Sequence, residues 1–234
     1  MMEVLQFNQT SLKTFNTYWD GSKMYITPEK DVTFFTVPGR SGELSIFNDR
    51  FKAKKIPFEC FIRNNFQSNF ANLMNFLYSQ DGYGRLENSF ESDIYQKACF
   101  VEAVDPKTGP FLKSGTFRLV FNVYPQKWLK SGETAITYQS GASATLENPT
   151  LFDAKPLIAV TGTGTITIND SVLVLANNTS TTYIDCEIED AYEGAINRNS
   201  DLTITNGFPV LNPGDNDIET NGCSIELTPR WWRL

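Results

Sequence analysis

The sequence predicts a mainly β fold with a single α-helix, arranged as two domains. Three observations predict it. Short apolar or alternating segments bounded by turn residues recur along nearly the whole chain. One stretch alone carries helical spacing. Charge and composition change together near residue 131: residues 1–130 hold 16 Lys and Arg against 13 Asp and Glu, and residues 131–234 hold 4 against 14.

In chain order, the first part carries strand patterns at 32–37, 55–62, 99–104 and 116–123. Between the second and third of these, Phe66, Phe70, Leu73, Met74 and Leu77 fall on one helical face, which places an amphipathic helix at about 65–79. Asn64 or Asn65 is placed to cap it, and Asp81-Gly82-Tyr83-Gly84 to stop it. Residues 131–144 shift to Ser, Thr, Gly and Ala without helical period, and read as a linker between domains 1–130 and 145–234. The second part repeats the strand pattern at 157–161, 165–168, 172–175, 183–188, 202–205 and 223–228. Asn206-Gly207 and Asn221-Gly222 lie beside such segments, and Asn-Gly suits two-residue turns that need positive φ, so a tight hairpin is expected at each.

The bulk numbers set limits on function. With 41% hydrophobic residues and eighteen Phe in 234 residues, the chain can bury a core and is not of disordered type. No run approaches the roughly 18 apolar residues of a membrane span, and the opening MMEVLQFNQTSLKTFN lacks the basic and apolar regions of a leader, so a protein made in the cytosol and not exported by that route is expected, with no membrane partner. The net charge of −7 argues against tight nucleic-acid binding, which rests on Lys and Arg neutralising phosphates.

Chemistry is sparse. There is no histidine, hence no His-based nucleophile arrangement, and no catalytic residue is assigned. Cys60, Cys99, Cys186 and Cys223 lie far apart without metal spacing and read as small core residues, with Ile184, Cys186 and Ile188 on one strand face. Asp185, Glu187 and Glu189 would then share the opposite face with Asp190 beside them, a solvated acidic edge and not a calcium loop. Gly162-Thr163-Gly164-Thr165 joins two strands, has no following helix or Lys, and reads as a turn. No metal and no cofactor is expected. Two features stand out as candidate interface: the basic run containing Arg50, Lys52, Lys54 and Lys55, suited to an acidic neighbouring subunit, and the pair Trp231 and Trp232. Adjacent residues on a strand point to opposite faces, so one tryptophan enters a core and the other needs a separate cover.

Several segments carry a family resemblance. They are Pro38-Gly39-Arg40-Ser41-Gly42-Glu43-Leu44 after a strand, Tyr95-Gln96-Lys97-Ala98, and Phe121-Asn122-Val123-Tyr124-Pro125-Gln126-Lys127-Trp128. The second half adds Asn148-Pro149, Ile184-Asp185-Cys186-Glu187, Phe208-Pro209-Val210-Leu211-Asn212-Pro213-Gly214-Asp215-Asn216 and the ending Pro229-Arg230-Trp231-Trp232. Together these resemble the distal tail proteins of siphophages that infect Gram-positive bacteria. The resemblance implies an N-terminal β-sandwich with one helix, which builds a homohexameric ring, and a C-terminal galectin-like β-sandwich facing outward. It implies a virion tail tip assembled in the host cytoplasm, in which the ring joins the tail tube protein to the tail-associated hub protein, lets DNA pass without specific binding, and in some phages carries receptor-binding proteins. Lectin activity is not implied, since the His, Asn and Arg pattern of true galectins is incompatible with a chain lacking His.

The leading expectation is therefore a non-enzymatic structural protein of a phage tail tip or baseplate. The alternative is a carbohydrate-binding module recognising the host cell wall.

Overall fold

A computed structural model describes residues 4–21, 25–178 and 180–234; the first three residues of the opening stretch, read above for a leader, lie outside them. The fold is mainly β, with one α-helix among the described residues, and divides into an N-terminal unit of residues 1–127 with Leu234 and a C-terminal unit of residues 128–233.

The N-terminal unit comprises β1 (Leu5–Phe7), β2 (Thr10–Ser11), β3 (Thr17–Trp19), β4 (Lys30–Thr36), β5 (Glu43–Phe51), β6 (Lys54–Ile62), α1 (Phe66–Tyr78), β7 (Gly84–Asn88), β8 (Ile94–Phe100), β9 (Lys107–Thr108) and β10 (Gly115–Val123). The main sheet runs β2-β1-β7-β8-β10-β6-β3, with β9 on β10 and β4-β5 forming a two-stranded sheet of their own. Alternation sets the core: Phe117, Leu119, Phe121 and Val123 point inward from β10, and Ile56, Phe58, Cys60 and Ile62 from β6. Phe7 on β1 meets Phe121 edge to face at 5.2 Å although two strands intervene, so the sheet curls to enclose its own core. Phe66, Leu73 and Leu77 of α1 close that core.

β11 (Lys127–Leu129) runs across the boundary, and the C-terminal unit follows with β12 (Ile136–Tyr138), β13 (Ser143–Asn148), β14 (Leu157–Thr161), β15 (Gly164–Ile168), β16 (Ser171–Leu175), β17 (Thr181–Asp185), β18 (Asp190–Glu193), β19 (Ile196–Asn197), β20 (Leu202–Thr205), β21 (Gly214–Asn221), β22 (Ser224–Thr228) and β23 (Trp232–Arg233). A six-stranded sheet, β12-β22-β14-β17-β18-β19, faces a five-stranded one, β13-β21-β15-β16-β20. Ile158, Val160, Ile184, Ile225 and Leu227 from the first meet Ile166, Ile168, Leu173, Leu175 and Ile218 from the second in one buried cluster, the core of a β-sandwich. Asn216 is wholly buried on β21, where its Nδ2 donates to the carbonyls of Asn212 and Gly214 at 2.9 Å and its Oδ1 accepts from the Asn212 N–H at 2.7 Å. A buried amide satisfied this fully fixes the Asn212–Asn216 turn.

Several expectations are corrected. Neither Asn-Gly makes a two-residue hairpin. Asn221-Gly222 carries the chain from the five-stranded to the six-stranded sheet, and a Cβ on Gly222, at φ +83°, would lie 2.8 Å from the Thr163 carbonyl oxygen of the neighbouring corner. Asn206 and Gly207 both have positive φ, but β20 pairs with β16 and the chain continues to β21 on the far side of the sheet. The stretch expected as a linker, 131–144, holds β12, which pairs with β22, and Gly132, whose carbonyl accepts from Arg230 N–H at 2.9 Å. A Cβ on Gly132 would come within 2.4 Å of the Trp231 nitrogen, so small residues are required there by close packing and not by flexibility. The strand expected at 99–104 lies at Ile94–Phe100, with Val101 exposed beyond its end. Asn65 stands at the helix N-terminus in a left-handed conformation and makes no side-chain cap.

Candidate functional site

One element is packed on neither core. Among the described residues β4 and β5 pair only with each other, in the register Val32↔Phe47, Thr33↔Ile46, Phe34↔Ser45 and Phe35↔Leu44. The tip is the Pro38–Gly42 turn, where Gly39 and Gly42 take φ of +81° and +83°. Every residue from 33 to 50 is exposed. Alternation then sorts the side chains: Val32, Phe34 and Phe47 share one face, and Phe35, Leu44 and Ile46 the other. A hairpin packed on its own unit would be apolar on one face and polar on the other. This one is apolar on both, with Phe34 and Phe47 each 60% exposed. A lone two-stranded hairpin is marginally stable in water, and a contiguous bare apolar surface marks an interaction site. The sequence reading marked 32–37 as a strand but missed β5, although the alternation of Leu44, Ser45 and Ile46 carries the signal.

The basic run lies at the foot of this arm and is already paired. Arg50 Nε donates to Asp31 Oδ2 at 2.7 Å, which holds the Asp31 carboxyl below its ordinary range, and Lys52 lies 3.8 Å from Glu29. Lys55 bonds Glu102. Lys54 is different: it is 6% exposed, with Lys127 and Glu91 as its charged neighbours, and burial first and Lys127 second pull its ammonium down to about 8. Of the four candidate interface cations, Lys54 is thus a side chain of the interior.

The two tryptophans separate as alternation requires. Trp231 is buried in the sandwich core. Trp232 stacks on Phe152 at 4.3 Å and donates its Nε1–H to the Asp153 carbonyl at 2.8 Å, so its cover comes from its own unit. Arg230 beside them binds Asp185 through both guanidinium nitrogens, at 2.6 and 2.9 Å. Burial pushes the Asp185 carboxyl up, but Arg230 and the Glu187 N–H outweigh it and leave it below its usual range. The acidic edge expected on one strand face is therefore not formed. β17 ends at Asp185, Glu189 sits in the following turn at φ +57°, and Ile188, expected in the core, is exposed.

Cys60 and Cys186 are buried, and burial raises both thiols, Cys186 to about 12. Among the described residues no group of three or more His, Cys, Asp or Glu is placed to hold a metal ion.

Comparison with known proteins gives the architecture a counterpart. No protein-family model and no curated protein matches the chain. Among solved structures, the Dit protein of phage SPP1, described as a paradigm of the hub adsorption apparatus in phages infecting Gram-positive bacteria, superposes with a TM-score of 0.76 at 15% identity, covering 100% of both chains. A chain of the phage P2 baseplate in its activated, calcium-bound conformation matches with a TM-score of 0.53 at 7% identity, over 97% of this chain and 98% of that one. The strontium-bound form of the p2 baseplate matches with a TM-score of 0.51 at 7% identity, over 100% and 98%. Over its whole length, both units included, the chain has the fold of the SPP1 Dit protein.

Proposed function

We propose that the protein is a structural component of a phage tail tip, a homohexameric ring that joins the tail tube to the hub or baseplate around a central channel. The observation that carries this reading is the β4–β5 arm: six apolar side chains on two faces of an element that packs on neither core. The full-length match in fold to a hub protein of the adsorption apparatus supports the setting. An arm of this kind is covered when each copy lays it on the next, a head-to-tail contact that closes into a ring. Ring contacts are accordingly assigned to the N-terminal unit, while the strongly acidic C-terminal unit, which would repel its own copies at close range, sits outside. Arg50, Lys52 and Lys55 contribute less to the contact than the apolar arm, since each already has a partner in its own chain. The remaining partners in this reading are the tube protein, the hub protein and, in some virions, a receptor-binding protein. No catalytic role is assigned.

The test is a mass measurement in solution over a range of protein concentration and salt, followed by negative-stain imaging. A six-fold ring with an open axis, stable in high salt, is expected. A strictly monomeric or dimeric protein at every concentration, or a ring whose channel is lined by the C-terminal unit, refutes the proposal.

A further inference from the structure

The outer face of the six-stranded sheet carries a second feature that the ring does not use. Its strands are in register across the sheet, so Thr137, Glu226, Ala159, Tyr183 and Tyr192 form one outward row over β12, β22, β14, β17 and β18. Ala159 is the small residue of that row, and the gap above it is a trough of about 260 Å³. The Glu226 carboxylate stands on one wall. On the other stands Tyr183, 38% exposed and stacked at 5.8 Å on Tyr192. The next row supplies the hydroxyls of Thr161 and Thr181, 3.4 Å apart, and that of Ser224, which already accepts from the Ser140 N–H at 3.3 Å and donates to the Oε1 of Gln139, another lining residue, at 3.4 Å. The side chains of Glu226 and Thr137 and the Tyr183 hydroxyl have no hydrogen-bond partner among the described residues.

The lining selects the ligand. No Lys or Arg faces the trough and the unit is acidic, so a phosphate or other anion has nothing to hold it. The floor at Ala159 is β14, whose two edges are already paired with β22 and β17, so a peptide strand has no edge to join there; the free edge of β12 lies at the rim, beyond Thr137. A lone exposed carboxylate is a weak site for a cation. What remains is a ligand with an apolar face for a phenol ring and closely spaced groups that both donate and accept, opposite a carboxylate that only accepts and hydroxyls that do both. That is a neutral saccharide. We infer that the trough over Ala159 binds a neutral saccharide, its ring stacked on Tyr183 and its hydroxyls bonded to Glu226 and the Thr161–Ser224 row. The inference rests on this geometry alone, so its failure leaves the ring untouched.

The test is binding of the full chain to an array of neutral oligosaccharides, with the best binder then titrated in solution against the wild type and four variants. Ala159→Tyr fills the trough from a strand position whose side chain already points outward, Thr161→Val with Ser224→Ala removes hydroxyls at nearly constant shape, and Tyr183→Ala removes the platform. Val174→Tyr places the same bulk on the exposed face of β16 in the other sheet. Expected is at least ten-fold weaker binding for the first three and unchanged binding for the last, with melting temperatures close to wild type. The inference is overturned by an array with no binder, by an Ala159→Tyr or Thr161→Val/Ser224→Ala protein that binds as wild type does, or by tighter retention of an anionic wall polymer or polylysine at the same trough.

Discussion

Replacing Phe34 and Phe47 by Ser tests the arm directly. Both rings lie on the same face and each is 60% exposed. A phenylalanine buries about 200 Å² when fully covered, so about 120 Å² of each ring is still bare, worth about 3 kcal/mol per ring if assembly covers it. Half coverage gives about 3 kcal/mol for the pair and full coverage about 6, which weakens a single subunit contact by roughly 10²- to 10⁴-fold. Because neither ring belongs to a core, the melting temperature of the isolated protomer should stay within about 2 °C of wild type. Sedimentation velocity over a hundred-fold concentration range reads the result, with Phe111→Ser, which removes a ring 92% exposed elsewhere on the N-terminal unit, as the control. Rings of Phe34→Ser/Phe47→Ser that persist at the concentrations where wild type assembles, or a Phe111→Ser variant equally impaired, would refute the role of the arm.

Three further outcomes follow from the buried charges and thiols. Lys54 has a folded-state pKa of about 8 against an ordinary 10.5, so its ammonium destabilises the folded chain fully below pH 8 and the cost is relieved as pH rises. Relative to Lys54→Met, which shares the opposing ionisation of the Cys60 thiol in the unfolded chain, wild type should gain about 2 kcal/mol between about pH 8 and pH 9.5 in denaturant titrations; two curves that run parallel over that window contradict this account. Arg230→Met should cost the C-terminal unit about 3–5 kcal/mol by stranding the Asp185 carboxylate, whereas Arg230→Met/Asp185→Leu should recover most of it, and equal losses for the single and double variants would show the ion pair to be unimportant. A disulfide reagent at pH 8 should label no more than one thiol per folded chain, Cys99, and all four once the chain is unfolded; rapid labelling of Cys60 or Cys186 would contradict their burial.

The strands and the helix were legible where a period shows. Phe66 to Leu77 keeps helical spacing because one face covers the sheet, and β10 and β22 alternate because each has one wet side. The misreadings share a physical origin, which is that local chemistry fixes a turn but not its destination. Asn221-Gly222 does turn with positive φ, yet whether the chain returns along the same sheet or crosses to the facing one depends on the partner corner at Gly162–Gly164. Residues 131–144 look flexible because they are rich in small residues, yet at Gly132 the small size answers to the Trp231 backbone, and Ile136–Tyr138 is a strand paired with β22. The arm was half legible: its tip motif and first strand were read, while the alternation that marks its second strand runs only from Leu44 to Ile46 before Phe47 interrupts it, because both faces are apolar. The trough over Ala159 was invisible, since its members are spread from Thr137 to Glu226 and meet only through strand register.

The arm also bears on how a ring would know that it is complete. Under the proposed contact each copy gives one arm and receives one, so an arc of any length has one bare arm at one end and one empty seat at the other. Lengthening the arc does not reduce that exposed area; only joining the ends removes it. An unfinished arc therefore carries a constant penalty of about the size of one subunit contact, and both faces of the free arm, with their unpaired strand edges, remain open to wrong partners until closure. Assembly should accordingly populate protomers and closed rings with little between them, the stoichiometry being set by the angle at which one copy seats the next.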